Sequence, residues 1–379
     1  MIDVRTKKIA VLQRVCPGYR LPLFQALSKS DEYQFRFFIG ADLPDSKVKS
    51  AKNIQGIDVA RLATRFFSLM GGAPIVIHSD LFRELAAFSP DVIITEGESN
   101  LFSMLVALYY SRLRGVPIVH WSLGGLPGDV PKSGFRKAVR NGIRRRFDAF
   151  IVYSSFGKQC LLEDGMAAEK IFVAVNVPDI RRLLERASHS DVTKAMARER
   201  LGMTERFTVL YVGSMDTRCK RLDLLVDIAR RLDSFNCTVV GVGDGPIRQE
   251  LISRADQLGL TNLLLPGAVN VGIESYYIAS DIFVLPGRGG MVISEAMAFG
   301  LPVVTFQADG TERDLIENEV NGVLLGDGSV DGFVNAIRDV GANTKKFDLM
   351  SANAKQRIAG FGIAGMVRSI ERAVQSVLG

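Results

Sequence analysis

The amino-acid sequence predicts an α/β protein with two domains, each built on a parallel sheet that helices cover. Strand and helix signals alternate along most of the chain, which is the pattern of such sheets. One polar, helical stretch without a strand signal, residues 177–206, interrupts the alternation. The length of 379 residues suits two domains of ordinary size, each able to bury its own core.

Six short apolar runs in the first half are predicted to be buried strands. They are KIAVLQ (8–13), QFRFFIG (34–40), DVIITE (91–96), PIVHWS (117–122), DAFIVYS (148–154) and KIFVAVN (170–176). Helices are predicted between them, including residues 21–30 and 101–115. The apolar run 101–110 is shorter than the roughly 20 residues of a membrane span, so we interpret it as part of a buried helix.

The polar stretch marks the predicted domain boundary, which assigns residues 1–190 to an N-terminal domain and 191–360 to a C-terminal domain. Six further strands are predicted in the second domain: FTVLYVGS (207–214), CTVVGVG (237–243), NLLLPG (262–267), DIFVLPG (281–287), LPVVTF (301–306) and GVLLG (322–326). Residues 361–379 have helical periodicity, and we expect this last helix to pack back on the N-terminal domain.

The composition is that of a globular protein, with 47% hydrophobic and 23% charged residues. The first residues lack the apolar core of a signal peptide. The four cysteines are scattered and have no metal-ligand spacing. These features predict reduced thiols and a soluble, cytoplasmic protein.

Positive charge is concentrated in residues 132–147, where Phe135, Val139, Ile143 and Phe147 also recur every four residues. The pattern predicts an amphipathic basic helix. It is open whether this helix packs its apolar stripe inward with solvated arginines outside, or contacts anionic lipid headgroups. A nucleic-acid contact is disfavoured, because no aromatic-interleaved basic motif accompanies the helix.

The segment DIFVLPGRGGMVISEAMAFGLPVV (281–304) predicts a strand, a glycine turn, a helix and a second strand. A glycine turn that leads into a helix presents unpaired N–H groups and the positive end of the helix dipole to one point, which favours an anion. Glu295 lies early in the helix, and a carboxylate there suits ribose hydroxyls rather than a phosphate. The local chemistry therefore indicates a nucleotide diphosphate.

Glycine loops follow several predicted strands of the second domain. They contain Gly213, Gly243, Gly245, Gly267, Gly287 to Gly290, and Gly310. Ligands of open α/β sheets bind beyond the carboxyl ends of the strands. We therefore expect a ligand cleft along this edge, facing the other domain.

These segments together resemble family 4 of the glycosyltransferases. The resemblance is strongest over residues 207–325, in VVGVGDGPIRQELISRADQLGLTNLLLPGAV, SYYIASDIFVLP, EAMAFGLPVV and GTERDLIENEVNGVLL; PGYRLPLFQAL, HWSLGG and YSSFGKQCLLEDGMAAEKIFVAVNVPD resemble the first half of the family. It implies the GT-B fold, in which two Rossmann-like domains face a central cleft. It also implies retaining transfer from a nucleotide sugar held by the C-terminal domain to an acceptor held by the N-terminal domain.

The family's two glutamates, separated by seven residues, align with Gly287 and Glu295. The resemblance implies that Glu295 holds the ribose of the donor. Gly287 has no side chain, which leaves the sugar-contacting role of the first glutamate unfilled. We expect the amides of Gly289, Gly290 and Met291 to replace part of it, with Arg288 adding positive charge.

The family's basic pair after the first C-domain strand aligns with Ser214 and Lys220. Ser214 departs from the pattern, while Lys220 is the candidate cation for the donor diphosphate, with Arg221 beside it. The alternative is an exposed lysine at a helix start, where the dipole disfavours a cation. Glycines in the neighbouring loops, Gly213, Gly243 and Gly267, belong to the predicted donor site, and Gly18 is expected to let the backbone of the N-terminal domain approach the donor phosphates.

In the N-terminal domain, His120 follows a predicted strand and is either a hydrogen-bonded structural histidine or a contact to the transferred sugar or acceptor. Glu96 and Glu98 also follow a strand and are weaker candidates for acceptor hydroxyls. No two aspartates are separated by a single residue, so the metal-binding pair of other glycosyltransferases is absent. We expect no metal and no cofactor, with the nucleotide sugar as substrate.

The leading hypothesis is retaining transfer of a hexose-like sugar to a lipid-linked saccharide at the inner face of the cytoplasmic membrane, in the assembly of a bacterial surface polysaccharide. The expected partners are the donor, the acceptor and an anionic membrane surface at residues 132–147, without nucleic acid. Alternatives are transfer to a soluble acceptor, a sugar-nucleotide epimerase of related fold, and a non-catalytic nucleotide-sugar-binding protein.

Overall fold

A computed structural model describes residues 6–43, 48–67, 75–97, 100–128, 134–189, 192–204, 206–216, 218–269 and 271–379. The chain forms two compact units, each with its own parallel sheet. Unit 1 consists of residues Met1–Val175 and Ile363–Gly379, and unit 2 of Asn176–Gly362.

The main sheet of unit 1 is parallel and has seven strands in the order β3-β2-β1-β6-β7-β8-β9. A two-stranded antiparallel ribbon, β4-β5, accompanies it. The strands of unit 1 are β1 Lys7–Gln13, β2 Tyr33–Ile39, β3 Asp58–Arg61, β4 Thr64–Phe67, β5 Ile75–His78, β6 Val92–Glu96, β7 Ile118–Ser122, β8 Ala149–Val152 and β9 Ile171–Val173.

Helices cover this sheet, and apolar side chains such as Phe38, Phe88 and Ile93 are buried between the layers. The helices of unit 1 are α1 Leu21–Leu27, α2 Leu81–Phe88, α3 Leu101–Arg114, α4 Gly134–Arg144, α5 Ser155–Glu163 and, at the end of the chain, α15 Ile363–Leu378. The last helix packs on α1 and on the sheet strands β8 and β9, and it buries Met366, Ile370 and Val374.

Unit 2 has a six-stranded parallel sheet in the order β12-β11-β10-β13-β14-β15. Its strands are β10 Phe207–Val212, β11 Cys237–Val242, β12 Leu263–Gly267, β13 Ile282–Leu285, β14 Val303–Thr305 and β15 Gly322–Leu324. Its helices are α6 Arg181–His189, α7 Lys194–Arg200, α8 Asp223–Leu232, α9 Arg248–Gln257, α10 Ile273–Ala279, α11 Met291–Ala298, α12 Glu312–Leu315, α13 Val330–Ala342 and α14 Thr344–Ala359.

Both sheets are doubly wound, and the strand order reverses once in each. The reversal lies between β1 and β6 in unit 1 and between β10 and β13 in unit 2. Loops at such a switch point leave in opposite directions and open a crevice at the carboxyl edge, where ligands of these folds bind. In unit 2 the two loops are those that begin at Gly213 and Pro286.

The twelve strand segments predicted from the sequence all form strands, and the predicted α/β class with two Rossmann-like units is confirmed. The strand β3 and the β4-β5 ribbon were not predicted: each strand has only four residues, and β3 and β4 contain no buried residue. It was wrong to treat residues 101–110 as a buried helix: α3 exposes one side, including Tyr109 at 64% exposure. Among the described residues, no helix is both long enough and apolar enough to cross a membrane.

Candidate functional site

The glycine turn after β13 leads directly into α11, as the sequence predicts. Gly290 is the residue before the helix, which begins at Met291. The first amides of a helix have no partner within it, and the helix dipole places partial positive charge at the same end. This end of α11 therefore has the local geometry of an anion site.

Gly287 is packed against the backbone of another loop. A Cβ atom there would lie 2.2 Å from the carbonyl oxygen of Cys219 and 2.6 Å from the carbonyl carbon of Lys220. The amide of Arg288 donates a hydrogen bond of 2.9 Å to the same Cys219 oxygen. The turn Arg218–Lys220 thus occupies the space that a side chain at position 287 would need, which is a physical reason for glycine where the family places glutamate.

This packing brings Lys220 to the glycine turn. Its ammonium nitrogen lies 3.1 Å from the position of a Cβ atom on Gly289, whose φ of 146° favours glycine. Two loops that are far apart in sequence, one after β10 and one after β13, therefore place a cation beside the amide end of α11. A cation and a set of amides at one point suit a diphosphate.

Glu295 lies on the second turn of α11 and is held by a neighbouring helix. Its Oε2 accepts a 2.7 Å hydrogen bond from the hydroxyl of Tyr277, which is fully buried in α10. Burial raises the pKa of the Glu295 carboxyl, although the hydrogen bond from Tyr277 and the charge of Arg186 act in the opposite direction. Burial also raises the pKa of Tyr277, so its hydroxyl stays a donor.

Three further glycines predicted for the donor site, Gly213, Gly243 and Gly267, lie at strand ends that backbone contacts join. A Cβ atom on Gly243 would lie 1.8 Å from the carbonyl oxygen of Gly213. The Gly213 amide donates to Val242, and the Gly243 amide donates to Gly267. The missing side chain of Gly243 thus allows the loops after β10 and β11 to pack closely, and the hydrogen bond to Gly267 joins them to the end of β12.

Ser214 and Arg221 make contacts elsewhere. The Ser214 hydroxyl donates to Asp216 at 3.1 Å, in its own loop. The Arg221 guanidinium extends toward Gly328, where its Nη1 lies 2.2 Å from the position of a Cβ atom. Of the neighbours Lys220 and Arg221, Lys220 is the one whose side-chain nitrogen is found beside Gly289.

In unit 1, His120 lies inside the domain rather than on its surface, with 1% of its area exposed. Its ring packs edge-on against Phe147 at 4.8 Å and Phe150 at 5.9 Å between ring centroids. It lines one wall of a mostly apolar cavity of about 290 Å³, which α3 and α4 form. The cavity is lined by Leu101, Met104, His120, Phe135, Arg136, Val139, Arg140, Ile143 and Arg144.

Of the other N-domain candidates, Gly18 follows β1 and Glu96 ends β6, the two strands that flank the switch point of unit 1. A Cβ atom on Gly18 would meet nothing within 4 Å among the described residues. Glu96 accepts a 2.7 Å hydrogen bond from the Arg14 amide, and Glu98 lies outside the described residues. The sequence analysis missed Arg20, whose guanidinium stacks on Trp121 at 5.2 Å and on Tyr153 at 4.9 Å.

The predicted basic helix 132–147 forms over Gly134–Arg144, and residues 132–133 lie outside the described ranges. The second half of its apolar stripe packs inward, at Ile143 and Phe147, whereas the first half does not. Phe135 is 79% exposed and Val139 is 47% exposed, whereas Arg144 is 4% exposed. The interpretation with solvated arginines and a packed stripe is therefore wrong for Arg144 and for the first half of the stripe.

Arg144 can be buried because the carboxylate of Asp164 neutralises its charge. Its carboxylate pairs with Arg144 at 2.8 Å, Arg140 at 2.8 Å and Lys137 at 3.3 Å. Arg144 also donates to the Gly124 carbonyl. Burial alone would raise the pKa of Asp164, yet Arg140, Lys137 and Arg144, with a hydrogen bond from Asn141, hold it below its ordinary value.

Helix α3 adds a second exposed apolar stripe beside α4. Leu101, Leu105, Tyr109 and Leu113 recur every four residues, and each is at least 40% exposed. We name these residues, together with Phe135 and Val139, the α3–α4 apolar face. Arg136, Arg145 and Arg146 are also exposed on or next to α4.

The described residues contain no group of three or more His, Cys, Asp or Glu side chains arranged to hold a metal ion. The predicted side chains that the structure brings together are Lys220 and the glycine turn, with Glu295 farther along the same helix.

Comparison with known proteins agrees with this arrangement. The family described as Glycosyl transferases group 1 matches residues 192–357, which lie in unit 2. A UDP-Gal:alpha-D-GlcNAc-diphosphoundecaprenol alpha-1,3-galactosyltransferase of Escherichia coli is 35% identical over 277 residues, which cover 69% of this chain and 70% of that protein. The sulfoquinovosyl transferase SQD2 of Arabidopsis thaliana is 25% identical over 270 residues, 68% of this chain and 51% of that protein.

The chain spans about half the length of the Arabidopsis relative and of an uncharacterized glycosyltransferase of Haemophilus influenzae. Among solved structures, Anabaena HepE in complex with UDP and glucose has a TM-score of 0.74 at 22% identity, covering 98% of this chain and 100% of that one. Sucrose-phosphate synthase from Thermosynechococcus elongatus has a TM-score of 0.70 at 18% identity, covering 98% and 99%. These structural likenesses establish the GT-B fold class, and the sequence matches show that the chain belongs to the group 1 glycosyltransferases.

Proposed function

We propose that this protein transfers a sugar from a nucleotide-diphosphate sugar to an acceptor hydroxyl with retention of configuration. The observation that carries the proposal is the convergence of the Lys220 ammonium and the amide end of α11 at Gly289. Glu295 lies on the same helix, with one carboxylate oxygen fixed by Tyr277.

Each part of the donor meets a suitable group in this arrangement. The diphosphate lies at the amide end of α11, on the side of Gly289, where Lys220 offsets its charge. The ribose hydroxyls donate to Glu295, because a carboxylate accepts more hydrogen bonds than the one from Tyr277. Arg288 adds positive charge beside Gly287. Preformed charge of this kind stabilises the diphosphate as it gains charge on leaving.

Retention follows from a same-face substitution in the proposed mechanism. Gly287 cannot serve as a nucleophile, so the glycine turn offers no covalent intermediate at that position. The bond between the anomeric carbon and the phosphate oxygen breaks, the acceptor oxygen forms its bond on the same face, and the leaving phosphate takes the acceptor proton. No metal takes part, and the positive groups of unit 2 carry the charge that a metal would otherwise offset.

For the acceptor we propose a lipid-linked saccharide at the inner face of the cytoplasmic membrane, used to assemble a bacterial surface polysaccharide. The α3–α4 apolar face and the exposed Arg136, Arg145 and Arg146 support this, since apolar insertion and positive charge together attract a protein to anionic lipid. The name of the Escherichia coli relative specifies an acceptor carried on diphosphoundecaprenol. His120 contacts the acceptor or the transferred sugar from the wall of the α3–α4 cavity.

Thermal stabilisation tests the donor half of the proposal. UDP, GDP, UDP-glucose, UDP-galactose and GDP-mannose are added to the purified protein, and at least one should raise its melting temperature, because a ligand of the folded state stabilises it. Incubation of that donor with wild-type protein should then give slow hydrolysis without acceptor and transfer with an undecaprenyl-diphosphate saccharide. Binding without hydrolysis or transfer would identify a non-catalytic nucleotide-sugar-binding protein, and transfer to soluble saccharides alone would exclude the lipid-linked acceptor.

The metal-independent mechanism has a separate test. Transfer should persist at its full rate after exhaustive treatment with EDTA, because Lys220 and the amides supply the positive charge. A complete loss of transfer that magnesium restores would refute this part of the proposal.

A further inference from the structure

A second carboxylate lies at the amide end of α11, in a loop that the sequence analysis did not single out for chemistry. Asp309 follows β14, and both of its carboxylate oxygens lie against Gly290. A Cβ atom on Gly290 would be 2.3 Å from Oδ1 and 2.5 Å from Oδ2 of Asp309. The bare α-carbon of Gly290 is what allows the carboxylate to approach so closely.

The loop around Asp309 holds this carboxylate in one orientation. The amide and the hydroxyl of Thr311 both donate to Oδ1, at 3.2 and 2.5 Å. Thr311 is fully buried, and the next loop amide, Gly310, donates to the buried Glu312 at 2.8 Å. Oδ1 is therefore committed to the loop, whereas Oδ2 has no hydrogen-bond partner in the described part of the chain.

Charge alternates along the glycine turn as a result. The Lys220 ammonium lies at Gly289, and the Asp309 carboxylate lies at Gly290, the next residue. A carboxylate repels phosphate, so the diphosphate is favoured on the Lys220 side. What remains beside Oδ2 is an acceptor site for a neutral O–H donor that adjoins the diphosphate.

We propose that Asp309 binds a hydroxyl of the donor sugar and so helps to select which sugar is transferred. This rests on the proposed function, since the hydroxyl-bearing group next to a nucleotide diphosphate is then the sugar itself. Glu295 and Asp309 divide the hydroxyls of the donor between them, with Glu295 binding the ribose and Asp309 the sugar.

The test compares wild-type protein with Asp309→Asn by calorimetry. Asp327→Asn is the matched control, because Asp327 is also a loop aspartate of unit 2 whose Oδ1 accepts the amide two residues later. The probes are UDP, UDP-glucose, UDP-galactose and the four monodeoxy forms of whichever UDP-sugar binds more tightly. If only GDP-mannose binds, the probes are GDP, GDP-mannose and the monodeoxy forms of GDP-mannose.

For wild-type protein, one monodeoxy form should bind about tenfold or more weakly than the parent sugar, because a hydrogen bond to a charged group is lost. Asp309→Asn should weaken the parent sugar by a similar factor and erase that difference, while the affinity for the nucleoside diphosphate changes less than about twofold. Asp327→Asn should change neither.

Two results would overturn the inference. The first is that Asp309→Asn leaves the discrimination between parent and deoxy forms intact. The second is that it weakens binding of the nucleoside diphosphate as much as binding of the sugar nucleotide, which would assign Asp309 to the loop fold. Failure of the proposed function looks different, since wild-type protein would then bind none of the nucleotides or nucleotide sugars.

Discussion

The two units support their candidate chemistry in different ways. In unit 2 the loops at the carboxyl edge pack backbone to backbone, with Gly243 against Gly213 and Gly287 against Cys219 and Lys220. In unit 1 a single carboxylate, Asp164, binds three cations of α4, and large apolar side chains remain exposed. The loops of unit 2 are thus held by backbone packing, whereas unit 1 leaves a broad apolar surface exposed.

The largest effect is expected from breaking the charge network of unit 1. Asp164→Asn leaves Arg144 buried without its carboxylate and should cost about 3–5 kcal/mol of unfolding free energy, as measured by chemical denaturation. Asp58→Asn is the control, because the Arg36–Asp58 pair is more exposed, at 35% and 41%, and should matter by about 1 kcal/mol or less. Equal effects of the two changes would contradict the special role of Asp164.

The comparison of wild-type protein with Asp164→Asn can also be made as a function of pH. The pKa of Asp164 is depressed in the folded protein from an ordinary value of 3.8, so its contribution is present above that value and is lost as the pH falls below it. The stability difference between wild-type protein and Asp164→Asn should therefore shrink below about pH 4. A difference that stays constant from pH 7 to pH 3 would show that the charge of Asp164 is not what stabilises α4.

The next largest effect concerns catalysis in unit 2. Lys220→Ala should lower kcat about 100- to 1,000-fold and change KM much less, because the diphosphate gains charge in the transition state. Lys345→Ala, an exposed lysine on α14, is the control and should leave both constants unchanged. A rise in KM alone would reduce Lys220 to a group that binds the donor in its ground state.

A glycine-to-alanine substitution in each unit compares the tight backbone packing of unit 2 with the open surface of unit 1. Gly287→Ala forces a carbon into the backbone of Cys219 and Lys220, and should lower the unfolding free energy by about 1–3 kcal/mol and weaken donor binding. Gly142→Ala lies within α4 with nothing within 4 Å of the new carbon, and should raise stability by up to about 1 kcal/mol. Thermal melting of both variants decides this, and a neutral Gly287→Ala would refute the packing explanation.

The smallest effect is expected at the α3–α4 apolar face. Arg145→Ser with Arg146→Ser should weaken binding to anionic vesicles by about 1 kcal/mol for each arginine, and salt should weaken the wild-type protein in the same way. Phe135→Ser should weaken vesicle binding further, because an apolar side chain that inserts is lost. The control is Val271→Ser, which changes an exposed apolar residue of unit 2 and should not weaken binding.

Arg140 and Arg144 are left unchanged in these variants because they hold Asp164. Cosedimentation measures all four, and wild-type protein that ignores anionic vesicles at low salt would favour a soluble acceptor.

The donor-site loops of unit 2 and the helices α3 and α4 of unit 1 also differ in how much of their structure the sequence predicts. The glycine turn and α11 were predicted because backbone constraints limit which residues fit, and Gly287 to Gly290 satisfy them locally. The contact between the turn and Lys220 depends on two loops that the fold brings together, so spacing along the chain predicts only the motif. Asp309 was missed for the same reason, since its nearness to Gly290 arises between adjacent strand ends.

Helix α4 shows the limit of periodicity more clearly. The four-residue spacing of Phe135, Val139 and Ile143 predicts an apolar stripe, but not which way the stripe faces. The orientation of the helix depends on Asp164, a residue about twenty positions later, because Arg144 points inward to bind its carboxylate. Helix α3 is a similar case. Its apolar residues predict burial on all sides, but only one side is buried, and Leu101 and Tyr109 on the other side face solvent.

Calorimetric titration of Glu295→Ala with the preferred nucleoside diphosphate tests whether a nucleotide-sugar donor binds at the amide end of α11. The variant should stay folded and lose about 1.5–3 kcal/mol of binding free energy, because a charged acceptor of ribose hydroxyls is gone. Tyr277→Phe, which removes only the hydroxyl that orients Glu295, should lose less. A dissociation constant unchanged in Glu295→Ala would contradict the ribose role and, with it, the placement of the donor on α11.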